Sequence, residues 1–234
     1  MAINIETLKT RALTALIFVI VMMGGLLWNE WSFLALFTLV HFGCWYEFIK
    51  LLKKIYGNQY LKYTLFGLFY ITMPICMLLD LRTVWSSFEG RKTLEDFGNT
   101  IPIAIIFSIW INDTMAYLVG SFIGKTPFSK ISPKKTWEGT IGGAILCVVT
   151  IGFLFPLLAD RFFYPYAQKQ TWFIIAALCA VFGTLGDLLE SKIKRMADVK
   201  DSGSIMPGHG GFLDRFDSLL IATPVVWVYV KLFL

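Results

Sequence analysis

The densest run of chemically capable residues lies between Gly186 and Ser218. It carries Asp187, Ser191, Lys194, Arg195, Lys200, Asp201, Asp214, Arg215 and Asp217, with a glycine-rich turn of Gly208, Gly210 and Gly211 around His209. Acids and bases are interleaved, as suits a site that holds both a hard cation and phosphates. Carboxylates bind the metal, and Lys and Arg bind phosphate oxygens. Asp214 and Asp217, three apart, share one helix face, and Asp187 lies near the end of the preceding helix, so the three can converge. Asp214 or Asp217 taken alone also fits the positive end of a helix. Asp187 has no such explanation: near a helix C-terminus the dipole disfavours an anion, so a cation or a basic partner is expected beside it. The glycines allow close backbone approach or positive φ just before a helix N-terminus suited to phosphate, and His209 either shapes that turn or contacts the phosphate. No Walker A lysine motif, GxSxG elbow or HExxH is present.

A second polar stretch runs from Asn112-Asp113 to Tyr117 and on through Ser132-Pro133-Lys134-Lys135-Thr136. Asp113 lies about two turns inside the end of an apolar run. An ionised side chain there is costly and marks a functional site, unless it serves a helix-packing hydrogen bond. Gly139 and Gly143 form a GxxxG suited to helix packing.

The elements that must position these residues are membrane helices. In 234 residues, 56% are hydrophobic and 16% charged, and the mean hydropathy is +0.66; such a chain does not suit a soluble surface. Runs at 12–28, 31–52, 61–80, 100–120, 139–159, 171–190 and 212–233 are near the roughly 20 residues that cross a ~30 Å hydrocarbon core. They predict an all-α bundle of about seven transmembrane helices in a single membrane domain spanning 1–234. The first run, preceded by Lys9 and Arg11, is expected as a retained helix rather than a cleaved signal. A barrel is disfavoured because period-two alternation is lacking.

Lys and Arg concentrate at the N-terminus and in the second, fourth and sixth loops, which predicts a cytoplasmic N-terminus and an external C-terminus. Trp28, Trp31, Trp137 and Trp172 sit near run ends, as interface anchors do. The net charge of +5 therefore reflects topology and attraction to anionic headgroups rather than nucleic-acid binding. Cys44, Cys76, Cys147 and Cys179 lie singly in apolar runs and are expected as buried thiols.

The run Ser191, Lys194-Arg195, Lys200-Asp201, Gly203, Pro207, His209-Gly210-Gly211 and Asp214-Arg215-Phe216-Asp217 resembles the signature of phosphatidate cytidylyltransferases, the CDP-diacylglycerol synthases. The Asp113–Tyr117 and Ser132–Thr136 stretches look like that family's second recurring segment. Met206 stands where the family pattern has Leu, Ile or Phe, and the N-terminal half is shorter than in many bacterial members.

The resemblance implies transfer of the cytidylyl group of CTP to phosphatidate, in a multi-pass protein with its active site at the cytoplasmic face of a bacterial inner membrane. It implies magnesium held by Asp187 and Asp214, with Asp217 or Asp201 as further ligands and a second cation as an option. Lys200 and Asp201 are expected in the catalytic group; Lys194, Arg195 and Arg215 on phosphates; and Ser191, His209, Gly210, Gly211, Asp113, Lys134 and Lys135 on the substrates. Membrane lipids and a homodimeric copy are the expected partners. Alternatives are a CTP-dependent polyprenol or phytol kinase, a cytidylyltransferase for an isoprenoid glycerol phosphate and, more remotely, a transporter. The charged residues gather at one edge of the spans, and no inverted repeat is evident, which disfavours transport.

Overall fold

The computed structural model describes residues 5–82, 100–162, 169–205 and 210–234, with side chains described over 12–82, 100–157, 169–205 and 210–234. His209 and Met206 lie outside the described residues. The described residues are helical apart from turns and a single bridge between Pro127 and Thr136. The helices are α1 (Ile5–Leu27), α2 (Glu30–Tyr56), α3 (Leu65–Gly67), α4 (Met73–Arg82), α5 (Thr100–Ile123), α6 (Trp137–Phe162), α7 (Lys169–Met196) and α8 (Leu213–Phe233). A 3-10 segment, Gly57–Tyr63, follows α2, and a π-helical turn, Leu68–Thr72, joins α3 to α4.

Six of these helical stretches are long and apolar enough to cross a membrane, and the apolar part of α1, Ala12–Leu27, is shorter. The match to the hydrophobic runs is close for α5, α6 and α8. It is looser elsewhere, because hydropathy reports the solvent and not the hydrogen-bonding ladder. The polar stretch after position 52 continues as helix until Gly57, whose φ of 54° ends α2. Similarly α7 runs on to Met196. There Val199 N donates to Lys194 O at 3.0 Å and Asp198 N to Arg195 O at 3.1 Å, with Asp198 at φ 51°. This is a Schellman end with a left-handed residue just past the helix.

Contacts divide the chain into two compact units: residues 1–72 with 192–216, and residues 73–191 with 217–234. In the first unit α2 begins with a capping box, in which Asn29 Oδ1 accepts from Ser32 N at 2.7 Å and Ser32 Oγ accepts from Asn29 N at 3.0 Å. Its core holds Phe33, Phe37, Val40 and Leu213. In the second unit α5 and α6 pack through small residues. A methyl added at Gly143 would lie 2.6 Å from the Ala116 backbone nitrogen, and one at Gly139 would lie 2.7 Å from the Ala116 carbonyl oxygen. The glycines thus let two backbones approach closely, as a GxxxG predicts.

Two expectations need correction. Cys44, Cys147 and Cys179 are buried, but Cys76 is exposed. Trp28, Trp31 and Trp137 are exposed as anchors should be, whereas Trp172 is buried, with its ring 4.9 Å from that of Phe155.

Candidate functional site

In the second unit the critical approach is between α7 and α8. A methyl added at Gly186 would lie 2.5 Å from the Asp217 carbonyl oxygen, so only glycine allows the two backbones this close. The contact sets the side chains of the next turn of α7 against the first turns of α8. Asp187, Glu190 and Asp217 each offer a carboxylate oxygen within 4.8 Å of the others, and Glu190 and Asp217 are buried. Three carboxylates this close repel unless a cation or protons intervene. Hard oxygen donors at that spacing suit a hard divalent cation.

The basic partner expected for Asp187 is Lys135, whose ammonium pairs with Asp187 Oδ2. Because α7 continues to Met196, Asp187 is more than two turns from the helix end, and Lys135 rather than the dipole governs its surroundings. Ser191, one turn along α7, donates to Asp187 Oδ1 at 3.4 Å. It is therefore engaged with a carboxylate of the cluster rather than presented to a ligand.

The loop between α5 and α6 holds Lys135 in place. Phe128 N donates to Lys135 O at 2.8 Å, Lys135 N to Ser132 O at 3.1 Å and Trp137 N to Thr126 O at 2.9 Å. Glu138, in the first turn of α6, accepts from Lys125 N, Thr126 N and Thr126 Oγ1, the last at 2.7 Å. Burial holds the Lys135 ammonium below the usual lysine range, and the carboxylates of Asp113 and Asp217 oppose that shift. Asp113, Lys134, Lys135 and Asp187 all line one cavity of about 480 Å³, together with Asn112 and Thr184. The two polar stretches of the sequence thus meet, and the cavity is within the ~300–1,000 Å³ of small-molecule sites.

The first unit arranges its functional candidates differently. Asp214, in the first turn of α8, is enclosed by donors: Lys194 Nζ at 2.6 Å, Ser202 N at 2.9 Å, Ser202 Oγ at 2.9 Å and Gly211 N at 2.8 Å. Gly210 has φ 83°, and a methyl there would lie 2.5 Å from Asp214 Oδ2, so glycine is required on both counts. Of the sequence candidates, Lys194 and Asp214 are joined here, with Gly210 and Gly211 shaping the turn. Arg195, Lys200, Asp201 and Arg215 are exposed.

Two carboxylates were not singled out by the sequence. Glu190 completes the cluster with Asp187 and Asp217, whereas Asp214 is not in that group. Glu47 is fully buried in α2 and accepts from Phe212 N at 2.9 Å, Leu213 N at 2.8 Å and Ser202 Oγ at 2.7 Å. The signal for Glu47 was its charge within a hydrophobic run, which by itself marks a site.

Residues 63–233 match the model of the cytidylyltransferase family. The chain is similar to a phosphatidate cytidylyltransferase of Bacillus subtilis (strain 168), 43% identical over 143 residues, which are 61% of this chain and 51% of that protein. It is similar to phosphatidate cytidylyltransferase 5, chloroplastic, of Arabidopsis thaliana, 37% identical over 184 residues, 72% of this chain and 44% of that protein. A phosphatidate cytidylyltransferase of Rickettsia felis is 32% identical over 228 residues, 95% of this chain and 92% of its own length. The chain spans about half the length of the Bacillus and Arabidopsis relatives and nearly all of the Rickettsia one.

Proposed function

Because the chain belongs to the cytidylyltransferase family, we propose that it transfers the cytidylyl group of CTP to phosphatidate, giving CDP-diacylglycerol and pyrophosphate. The observation that carries this reading is the cavity lined by Asp113, Lys134, Lys135 and Asp187, whose Asp187 carboxylate lies within 4.8 Å of those of Glu190 and Asp217. The similar proteins are named as phosphatidate cytidylyltransferases, which supports the same reaction.

In this reaction a phosphate oxygen of phosphatidate attacks the α-phosphorus of CTP. A new P–O bond forms there, the bond to the bridging oxygen of the β-phosphate breaks, and pyrophosphate leaves with that electron pair. The nucleophile is already anionic at neutral pH, so positioning and charge neutralisation matter more than a general base. Asp187, Glu190 and Asp217 would hold Mg2+, and their hard-oxygen set fits it. Mg2+ bound there supplies neutralisation of the triphosphate charge. Lys135 orients Asp187 and restrains the cluster's negative charge, while Lys134 presents its ammonium to an incoming phosphate. Asp113 braces the Lys135 side of the cavity.

Lys194, Arg195, Lys200 and Arg215 would receive phosphate oxygens, with the turn at Gly210 and Gly211 offering close approach; His209 is assigned to the substrates from its place in the sequence. Asp214 orients Lys194. Asp201 is the remaining carboxylate assigned to the catalytic group. The site is proposed to face the cytoplasm of a bacterial inner membrane, with the N-terminus on the same side, in keeping with the loop charges. The whole chain is proposed to act as a single membrane domain, with a homodimer as the assembled form.

The test is formation of labelled CDP-lipid by purified protein given radiolabelled CTP, Mg2+ and phosphatidate. Wild type is expected to form it, and chelation by EDTA is expected to abolish it. No CDP-lipid from wild type would overturn the reading, and phosphorylated product from dolichol or phytol in its place would identify a kinase.

A further inference from the structure

We infer that Glu47 is a positioning residue, a buried carboxylate on α2 that clamps the start of α8 and, through Ser202, sets the orientation of Asp214. The kinetic part of this inference rests on the cytidylyl-transfer reading.

Glu47 and Gly43 lie one turn apart on α2 and form a receptacle for the segment entering α8. A methyl at Gly43 would strike the Phe212 ring, and methyls at Gly203 or Gly211 would strike the Glu47 carboxylate. Into this space the chain delivers two backbone donors, Phe212 N to Oε1 and Leu213 N to Oε2. These are amides at the start of a helix, where no partner exists within the helix itself. Glu47 supplies both acceptors and places a negative charge at the positive end of α8. An ionisable side chain fully buried in an apolar helix is costly. Two amide hydrogen bonds, joined by a third whenever the Ser202 hydroxyl donates to Glu47, offset that cost.

Ser202 connects the clamp to the site. Its Oγ is 2.7 Å from Glu47 Oε2 and 2.9 Å from Asp214 Oδ2. A hydroxyl has one proton, so Ser202 donates to only one of the two carboxylates at a time. Its backbone N–H donates to Asp214 Oδ2 as well, at 2.9 Å. Asp214 in turn holds the Lys194 ammonium at 2.6 Å. The order of support is therefore Glu47, Ser202, Asp214, Lys194.

Glu47→Gln keeps the volume but replaces one acceptor oxygen with an NH2 group. A donor then faces Phe212 N–H or Leu213 N–H, and one amide loses its acceptor. In variants that retain the wild-type melting profile, kcat should fall about ten- to a hundredfold, because small misplacements of a positioned group have effects of that order. KM for phosphatidate should stay within about twofold. Ser202→Ala should give a similar kcat loss, and the double variant should be no worse than the poorer single one, since both act through Asp214.

Wild-type kcat in folded Glu47→Gln, or losses that multiply in the double variant, would overturn the inference. If wild type itself makes no CDP-lipid, the transfer reading fails and hydrogen exchange decides the matter. Amides of Ser202, Gly211, Phe212 and Leu213 should exchange about tenfold faster in detergent-solubilised Glu47→Gln than in wild type. Unchanged exchange there would refute the clamp whatever the reaction.

Discussion

Asp214 and Asp217 are three residues apart on one helix, yet their surroundings differ in kind. Asp214 accepts from Lys194, from the Ser202 and Gly211 amides and from the Ser202 hydroxyl. Its charge is balanced by protein donors. Asp217 accepts from the Ser218 amide at 2.6 Å, but it also lies with Asp187 and Glu190 in a group of three acids, with the Lys135 ammonium on Asp187. There three acids are brought together beside the close backbone approach at Gly186. A carboxylate surrounded by donors is stable as it stands and favours a fixed geometry. A carboxylate grouped with two others becomes more stable when a cation arrives. The difference makes the Asp217 region the one to test for the proposed ion, and the Asp214 region the one whose geometry the protein's own donors fix.

The strongest way to break this contrast is to neutralise one acid from each region. Asp217→Asn should reduce kcat/KM by about a hundredfold or more, through loss of a ligand for the cation, while the melting temperature in metal-free buffer holds or rises as repulsion is relieved. Asp214→Asn should lower that melting temperature, because Lys194 then keeps its charge beside a neutral amide; a charged hydrogen bond contributes about 1.5–3 kcal/mol. Calorimetry of both variants with and without Mg2+ reads the outcome. If Mg2+ raises the melting temperature of Asp217→Asn as much as that of wild type, the ion does not sit at this cluster.

A smaller effect is expected from the contact that creates the cluster. Gly186→Ala places a methyl 2.5 Å from the Asp217 carbonyl oxygen, against backbone that cannot rotate aside. Overpacking of this kind costs about 1–3 kcal/mol, visible as a lower melting temperature, and activity should fall with it because Asp187 and Asp217 move apart. Gly24→Ala is the control, since nothing lies within 4 Å of a methyl at that position. Equal stability of the two variants would mean that the close approach of α7 and α8 is not what assembles the acids.

Much of the helical framework was legible in apolar run length, since a lipid-facing backbone has few alternatives to helix. Helix ends were less legible. Ser191 to Met196 is polar enough to resemble a loop, but it is the last part of α7, closed by a left-handed Asp198 that hydropathy does not register. In the site, Asp187 and Asp217 stood out as acids near span ends, but the basic partner expected for Asp187 was argued from a helix C-terminus that in fact lies further on, at Met196. Which base it would be did not follow, because Lys135 is 52 positions away in the sequence. Glu47 was hidden for the same reason: its partners are 155 to 166 residues distant. Local spacing reveals residues that share a helix face. It does not reveal which helices press together, since that depends on glycine contacts such as those at Gly43 and Gly186.

The mildest perturbation sharpens the comparison through pH. Burial favours the neutral form of Lys135, so its pKa in the folded protein is below that of a free lysine. As pH rises, the ammonium is lost earlier than an ordinary lysine would lose it, and the attraction to Asp187 goes with it. The sign is therefore fixed: the Lys135–Asp187 attraction is present below the lowered pKa and vanishes above it, so the alkaline limb of activity should fall at lower pH than an unperturbed lysine would give. Lys135→Arg retains a charge that is not titrated in this range. It should keep activity at neutral pH within about tenfold, the lower end of effects seen for groups that support a metal ligand, and shift the alkaline limb upward. Lys194→Arg is the companion measurement in the other region. An upward shift for Lys135→Arg alone ties the limb to the acid cluster, whereas equal shifts for both variants would erase the distinction between the two regions.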